Sequence, residues 1–238
     1  RVIMQNDTSE ASKNTMKIQV VDLGIRGYRE VWEMQEKYLE EAKRLKQKHE
    51  PVQNTLLLVE HHPVYTLGKS GNEANMLISS LQLRAKDADF LKVDRGGDIT
   101  FHGPGQLVVY PVVDLEESGI GIKEYVDRLE EVVIRTIAEY GIRGERLAGA
   151  TGVWLEPGLP EARKICAIGV KCSRYITMHG FALNVNTDLT YFNYIHPCGF
   201  VDKGVTSICR EKGKKAEMQE VKKEVCCYFG KVFGLEFI

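Results

Sequence analysis

The chain has 238 residues, of which 43% are hydrophobic and 27% charged, and its formal net charge is -1. This length is sufficient to bury most of the surface that an unfolded chain exposes. The near-neutral charge argues against a general nucleic-acid binder, which needs a basic excess or a basic stripe, and no apolar run reaches the roughly 18 residues of a membrane-spanning helix. We therefore expect a soluble globular protein that binds neither nucleic acid nor membranes.

The N-terminal residues differ in character from the rest of the chain. Residues 1–16 are polar and carry neither an apolar signal-peptide core nor the Arg-rich amphipathic pattern of a transit peptide. We predict that they form a flexible leader or an added tail, and that residues 17–238 form a single domain. The expected location is the cytoplasm, or an organelle if a transit peptide has been removed.

Periodicity predicts strand and helix elements along the first half of the chain. Residues 17–23 are typical of a strand, and apolar groups at helical spacing predict a long helix over residues 28–45. Three short β-rich runs follow, separated by Gly, Pro, Asn and Ser clusters, at residues 55–59, 90–93 and 107–113.

The second half continues with a helix, a group of strands and a closing helix. An amphipathic stripe over residues 122–140, followed by Gly141, predicts the first of these helices. An antiparallel meander and the closing helix are predicted at residues 152–155, 164–170, 175–185 and 218–232. Because strands cluster and helices lie between the clusters, we predict an α/β (α+β) fold with a mixed, largely antiparallel sheet flanked by helices.

A glycine-rich segment at residues 95–106 joins two of the predicted strands. It holds four glycines, an arginine and a histidine. Glycine permits positive φ and lets a ligand approach backbone N–H groups, so the segment is a candidate pocket wall, although a glycine-rich hairpin without a ligand fits equally well. It matches neither the P-loop nor the G-x-G-x-x-G pattern, so nucleotide binding is not indicated.

Cys198 is the best candidate nucleophile among the six cysteines. It lies between Pro197 and Gly199, a pair that marks a turn, where a thiol is accessible and the Gly199 N–H is a candidate oxyanion donor. The alternative is a buried packing residue, which is what most free cysteines are. No C-x-x-C pair or zinc-like spacing occurs, so we expect a reducing compartment and no metal site. We expect Cys166 to be a packing residue of a strand, and Cys226 and Cys227 to be packing residues of the last helix.

Two lysines, Lys164 and Lys171, bracket an apolar predicted strand. Strand alternation predicts that Lys164 shares a face with Cys166, Ile168 and Val170, and that Lys171 lies on the opposite face. A lysine among apolar groups loses solvation of its charged form and can act as a base, and close to a thiol it stabilises the thiolate. The alternative is an exposed lysine at a strand end.

Histidines leave a second kind of catalysis open. Five of them lie near glycine or proline, so a Cys/His hydrolase is a competing hypothesis. No two show H-x-x-x-H spacing, which disfavours metal ligation. These histidines are His61, His62, His102, His179 and His196.

The segments together resemble the lipoyl (octanoyl) transferase family from about Lys17 onward. Four family patterns stand in the sequence: R-G-G-x-x-T-x-H-G-P-G-Q at residues 95–106, R-K-I-x-A-I-G-V at 163–170, H-G-x-A-L-N at 179–184 and P-C-G at 197–199. The resemblance implies the fold shared by biotin and lipoate protein ligases, with residues 17–238 as one acyltransferase catalytic domain.

The resemblance also implies a reaction and its participants. Cys198 would take the octanoyl group from acyl carrier protein as a thioester, with Lys164 as acid/base, and pass it to a lysine on lipoyl domains. The acceptors implied are lipoyl domains of 2-oxoacid dehydrogenase E2 subunits and the glycine cleavage H protein. No cofactor is implied, because the phosphopantetheine of the carrier delivers the acyl group. We expect a monomer. The implied substrate contacts are Arg95, Gly96, Gly97, Asp98, Ile99, Thr100, Phe101, His102, Ala167, Ile168, Gly169, Gly180, Phe181 and Ala182.

Two rival functions remain open on the sequence. An ATP-dependent lipoate or biotin ligase of the same fold would hold an acyl-adenylate against its glycine-rich loop and would not depend on a cysteine, which the P-C-G motif argues against. A non-catalytic acyl-binding module would hold octanoate without forming a covalent adduct.

Overall fold

A computed structural model describes residues 15–197 and 202–238. The strands are β1 (Met16–Arg26), β2 (Asn54–His61), β3 (Val64–Leu67), β4 (Asp89–Lys92), β5 (Ile99–His102), β6 (Gln106–Val112), β7 (Glu145–Leu147), β8 (Ala150–Leu155), β9 (Arg163–Ser173), β10 (Ile176–Asn184), β11 (Gly204–Val205) and β12 (Leu235–Phe237). The helices are α1 (Tyr28–Gln47), α2 (Ser80–Ala85), α3 (Leu115–Ser118), α4 (Ile122–Ala138), α5 (Ile208–Lys212) and α6 (Met218–Phe233). Short 3-10 turns lie at Glu73–Asn75 and Leu189–Tyr194.

The main sheet is mixed and largely antiparallel, as predicted. Within the described residues its strand order is β12-β1-β2-β6-β10-β9-β8-β7, with β11 beside β9. The β1 pairings with β12 and β2, and the β11 pairing with β9, are parallel. The ladders from β2 through β6, β10, β9 and β8 to β7 are antiparallel.

Helices cover both faces of the main sheet. Apolar residues of α4 and α6, among them Leu129, Val133 and Phe229, pack with one sheet face into the largest hydrophobic core. Helix α1 covers the opposite face, as its stripe of apolar residues predicts. Gly141 follows α4 with a φ of 70°, and its N–H donates to the Ala138 carbonyl at 2.9 Å, which confirms the expected glycine at this helix end. None of the helices in the described ranges is long and apolar enough to cross a membrane.

A second, smaller sheet lies beside the α1 face, with the order β4-β3-β5. Its core contains Tyr65 and Phe101, and the turn Leu189–Tyr194 packs against it. The Phe101 ring stacks on Tyr191 with centroids 4.5 Å apart, and the Tyr65 hydroxyl donates to the Tyr191 carbonyl at 2.6 Å. The chain that leads to residue 198 is therefore anchored to the small sheet.

The cysteines divide between core and surface. Cys166 is fully buried in the main core, and burial raises the pKa of its thiol, so its predicted packing role is confirmed. Cys226 is half-buried against the same core, and burial raises its pKa to about 11. Cys227 is exposed, so the prediction that it packs in the core is wrong: it lies on the outer side of α6.

Candidate active site

A cavity that opens to solvent lies between α1, the 95–106 segment, and strands β6, β9 and β10. Most of the predicted substrate contacts line it: Arg95, Gly97, Asp98, Thr100, His102, Ala167, Ile168, Gly169, Gly180, Phe181 and Ala182. Gly96, Ile99 and Phe101 are outside this lining.

Alternation along β5 explains why the 95–102 range is only partly in the cavity. Thr100 and His102 face the cavity, whereas Ile99 and Phe101 are buried in the core of the small sheet. Because successive side chains of a strand point to opposite faces, one β5 surface serves the cavity and the other serves packing.

Arg95 holds the cavity wall in place through hydrogen bonds to backbone carbonyls. Its buried guanidinium donates to the carbonyls of Thr66 at 2.8 Å and of Gly96 and Asp98 at 3.0 Å. The Gly96 N–H donates to the Val170 carbonyl at 2.9 Å, which ties the segment to β9. A Cβ on Gly169 would lie 2.6 Å from the Gly96 oxygen, so glycine is needed for this close approach.

Three residues that sequence reasoning missed also line the cavity: Tyr28, Val108 and Tyr110. The Tyr28 ring stacks on the His102 ring with centroids 5.5 Å apart. Burial raises the Tyr28 pKa to about 12, so the phenol stays protonated near neutral pH. Val108 and Tyr110 alternate along a correctly predicted strand, but the sequence carries no signal that their face borders a cavity.

Hydrogen bonds fix the protonated nitrogen of two buried histidines. His61 Nδ1 lies 2.9 Å from the Arg26 carbonyl, which can only accept, so Nδ1 donates and Nε2 accepts from the Tyr110 hydroxyl at 2.7 Å. His102 Nδ1 likewise donates to Gln106 Oε1 at 2.8 Å. That direction follows because the Gln106 amide nitrogen is committed to the Phe101 carbonyl at 2.9 Å. The neutral tautomers of both rings are set by these acceptors.

His179 enters the cavity because a proline interrupts the central ladder. The register on either side places His179 of β10 opposite Pro111 of β6, and proline has no N–H to donate. The backbone of His179 adopts a φ of 59°, its N–H donates to Gln35 Oε1 at 2.7 Å, and its side chain lines the cavity. A strained backbone at a functional site re-aims this side chain.

Asp94 and Lys171 lie outside the cavity lining and are linked to it through His179. Asp94 accepts hydrogen bonds from His179 Nε2 at 2.7 Å and from the Lys171 ammonium. These bonds, the His179 bond first, hold the pKa of Asp94 well below its usual range despite partial burial. Burial lowers the pKa of His179, and the Asp94 carboxylate opposes that effect only in part. The ring is therefore neutral near pH 7.

We predict that acid destabilises the fold through the buried histidines. Burial lowers the pKa of His61 to about 4 and of His102 well below its usual range, and it lowers that of His179. The pKa of histidine in the unfolded chain is about 6.5. Below that pH the unfolded chain binds protons that the folded chain does not bind, so the free energy of unfolding falls as the pH drops. Each histidine contributes up to about 1.4 kcal/mol per pH unit between its folded pKa and the unfolded pKa of about 6.5. Urea denaturation at pH 7.5, 6 and 5 measures the slope.

A matched pair of variants assigns that slope. Replacing the buried His61 by Asn is expected to reduce the slope, since one of the groups that stays neutral in the folded chain is removed. Replacing its exposed neighbour His62 by Asn is expected to leave the slope unchanged. A free energy of unfolding that stays constant from pH 7.5 to 5 would contradict the prediction.

The strand-face prediction for Lys164 is wrong. Cys166 pairs with Val153, but Lys164 pairs with Trp154, so β9 has one residue more than β8 in this interval. This β-bulge at Ile165 reverses the alternation, and both Ile165 and Cys166 pack in the main core. Lys164 consequently lies on the cavity face, and Lys171 lies on the same face.

Lys164 is a buried residue and not an exposed strand-end lysine. It is 6% exposed, and its Nζ lies 4.8 Å from the centroid of the Trp154 ring. It lines a small cavity together with Thr100, Ala167 and Ala182, which also line the main cavity. Pro197 lines the same small cavity. Lys164 therefore lies where the main cavity meets the segment that leads to residue 198.

Cys198 and Gly199 lie outside the described residues, so their predicted roles remain predictions. Of the histidines, His61, His102 and His179 are buried, and His196 is half-buried next to Pro197. In the described part of the chain, no group of three or more His, Cys, Asp or Glu side chains could hold a metal ion.

The fold resembles that of solved lipoate protein ligases, and a family model identifies the class of enzyme. It matches a bi-partite lipoate protein ligase from Thermoplasma acidophilum with a TM-score of 0.70, over 94% of this chain and 86% of that one, at 14% sequence identity. Residues 27–230 match the profile of the lipoyl protein ligase A/B catalytic domain.

Sequence relatives place the chain more narrowly. It is 54% identical to an octanoyltransferase of Bacteroides thetaiotaomicron, over 92% of this chain and 96% of that one. It is 50% identical to an octanoyltransferase of Christiangramia forsetii, over 92% and 97% of the two chains. The chain belongs to the octanoyltransferases of the lipoyl protein ligase A/B family, and it is an acyltransferase.

Proposed function

We propose that this chain transfers an octanoyl group from acyl carrier protein, through a thioester on Cys198, to the ε-amino group of a lysine on a lipoyl domain. The octanoyl group is the one named for its relatives. The observation that carries the chemistry is the placement of Lys164, which is buried where the main cavity meets Pro197. We infer that a lysine in this position exchanges protons with a nucleophile on Cys198, the residue after Pro197.

The first half-reaction forms the acyl-enzyme. The Cys198 sulfur attacks the carbonyl carbon of the octanoyl thioester, and its proton passes to Lys164 Nζ. The tetrahedral intermediate collapses, the carbon–sulfur bond to phosphopantetheine breaks, and Lys164 returns the proton to the departing thiol. One thioester replaces another, so the free energies of reactants and products are similar.

The second half-reaction forms the amide. The neutral ε-amine of the acceptor lysine attacks the acyl carbon while Lys164 takes one N–H proton from it, and that proton passes to the Cys198 sulfur as the thioester bond breaks, which restores the thiol. Thioester to amide conversion runs downhill, so ATP is not required. The proposal includes no metal or cofactor, since the acyl group arrives already activated.

The main cavity is proposed to hold the acyl chain. Ala167, Ala182 and Val108 provide apolar wall. The Tyr110 hydroxyl and the Nδ1 proton of His102 are already engaged in hydrogen bonds. Groups that are satisfied in this way can border an alkyl chain with little further desolvation cost.

The proposed acceptors are lipoyl domains of 2-oxoacid dehydrogenase E2 subunits and the glycine cleavage H protein. The Thermoplasma ligase of similar fold was described together with its E2 lipoyl domain, which supports a lipoyl-domain acceptor here. We further propose that the enzyme is soluble and cytoplasmic and acts as a monomer.

Intact mass spectrometry after mixing the chain with octanoyl carrier protein tests the proposal. We expect a gain of one octanoyl group that hydroxylamine removes and that Cys198→Ala abolishes. Cys227→Ala, which removes an exposed thiol of α6, is the matched control and is expected to keep the adduct. A requirement for ATP would favour the ligase alternative, and bound octanoate without covalent mass would favour the acyl-binding module. Either result would refute the transfer mechanism.

A further inference from the structure

A chain of hydrogen bonds links the cavity wall to the backbone just before Cys198. Asp98, which lines the cavity, accepts through Oδ2 from the Asn75 side-chain amide at 2.7 Å. The Asn75 carbonyl in turn accepts the His196 N–H at 2.9 Å. His196 and Pro197 are the two residues that precede Cys198.

The Asp98 end of this chain is rigid. Oδ1 of the same carboxylate accepts the backbone N–H groups of Ile99 at 2.7 Å and Asn72 at 3.2 Å. The Asp98 carbonyl accepts from Arg95 Nη2 at 3.0 Å. The carboxylate thus joins the glycine-rich segment to the 3-10 turn at Glu73–Asn75, and charge-assisted bonds of this kind are stronger than neutral ones.

The His196 end is held as a short antiparallel contact. Met76 forms a β-bridge with Ile195, and the Leu77 N–H donates to the Tyr194 carbonyl at 2.9 Å. Ile195 is buried in the core of the small sheet. The backbone before Cys198 therefore takes its position from the turn that Asn75 ends.

We propose that Asn75 is a positioning residue, which together with Asp98 fixes the His196–Pro197 backbone from which the chain enters residue 198. The inference rests on the proposed role of Cys198 as nucleophile. Lys164 is carried by the main sheet, whereas the approach to Cys198 is held by the small sheet and the Glu73–Asn75 turn. The Asn75–Asp98 bond ties that turn to the segment which also borders the acyl cavity.

The test is a pair of variants with opposite expectations. Asn75→Leu keeps the size of the side chain and removes its bond to Asp98, and it is expected to lower the rate constant of Cys198 acylation between about ten- and a hundredfold, because displacements near 1 Å have effects of that order. The KM for octanoyl carrier protein is expected to change by less than about twofold, since no binding group is removed. The double variant Asn75→Asp with Asp98→Asn restores the bond with donor and acceptor exchanged, and is expected to recover most of the rate.

Lys92→Met is the matched control. Lys92 forms an exposed ion pair with Glu73 in the same turn but is absent from the hydrogen-bond chain to His196, so wild-type acylation is expected. The proposal is overturned if Asn75→Leu acylates as fast as wild type, if Lys92→Met loses as much rate, or if the double variant stays as slow as the single one.

Alkylation separates this proposal from the proposed function. The pH profile of Cys198 alkylation by iodoacetamide, followed by peptide mass spectrometry, is expected to move to higher pH in Asn75→Leu because the thiolate lies farther from the Lys164 ammonium. Absence of an octanoyl adduct in wild type would refute the proposed function alone. An unchanged alkylation profile in Asn75→Leu would refute the positioning role alone.

Discussion

Replacing Lys164 by Met is expected to slow both half-reactions by about a thousandfold or more, which is within the range for loss of a general acid/base. Methionine has a similar length and no charge, and the lysine stem already packs near Gly152, where an added Cβ would lie 3.3 Å from Lys164 Cε. The fold should therefore tolerate the change. Acyl-enzyme formation is measured by intact mass, and the second half-reaction by incubating preformed acyl-enzyme with a lipoyl domain.

Lys171→Met is the informative comparison for Lys164. Both lysines lie on the cavity face of β9, but they are seven positions apart in the sequence, about 23 Å at the rise of a strand. Lys171 bonds to Asp94, which also accepts from His179 of the cavity lining, so its loss is expected to leave proton transfer largely intact. Equal losses of rate in the two variants would contradict the assignment of the acid/base role to Lys164.

Gly180→Ala is expected to destabilise the fold by more than about 3 kcal/mol, since a new Cβ would overlap backbone that cannot move independently. The Cβ would lie 2.1 Å from the Val109 carbonyl oxygen and 2.8 Å from Pro111 Cδ. Strand β10 would have to separate from β6 in the centre of the main sheet. Urea denaturation monitored by circular dichroism measures the loss.

Gly121→Ala provides the matched control for Gly180. Gly121 precedes α4, and a Cβ built there meets nothing within 4 Å. Its cost is expected to stay below about 1 kcal/mol, the usual range for a helix N-cap change. If both variants unfold at the same urea concentration, the pairing of β10 with β6 does not require a glycine at position 180, and the prediction is wrong.

Hydrophobic periodicity predicted the fold well because the signal is local. The 28–45 helix pattern corresponds to α1, and the 107–113 strand pattern corresponds to β6. The glycine-rich segment was also predicted as a candidate pocket wall, and five of its twelve residues line the cavity.

The side-chain directions at the site could not be predicted in the same way. The bulge at Ile165 depends on how β8 pairs with β9, and no residue type in the 163–170 pattern marks it. Pro111 is a visible signal for an interrupted ladder, but its effect on His179 requires the register of β10. The Asn75 to His196 contact joins residues 121 positions apart in the sequence, beyond the reach of any local pattern.

The bulge at Ile165 decides which face of β9 carries the Lys164 amine. If Ile165 paired with Trp154 in regular alternation, Lys164 would share the face of Cys166, and its ammonium would point toward the apolar core formed with α4 and α6. The same motif letters would then place the amine on the wrong side of the sheet. Alignments and redesigns of β9 must therefore preserve the bulge as strictly as the lysine.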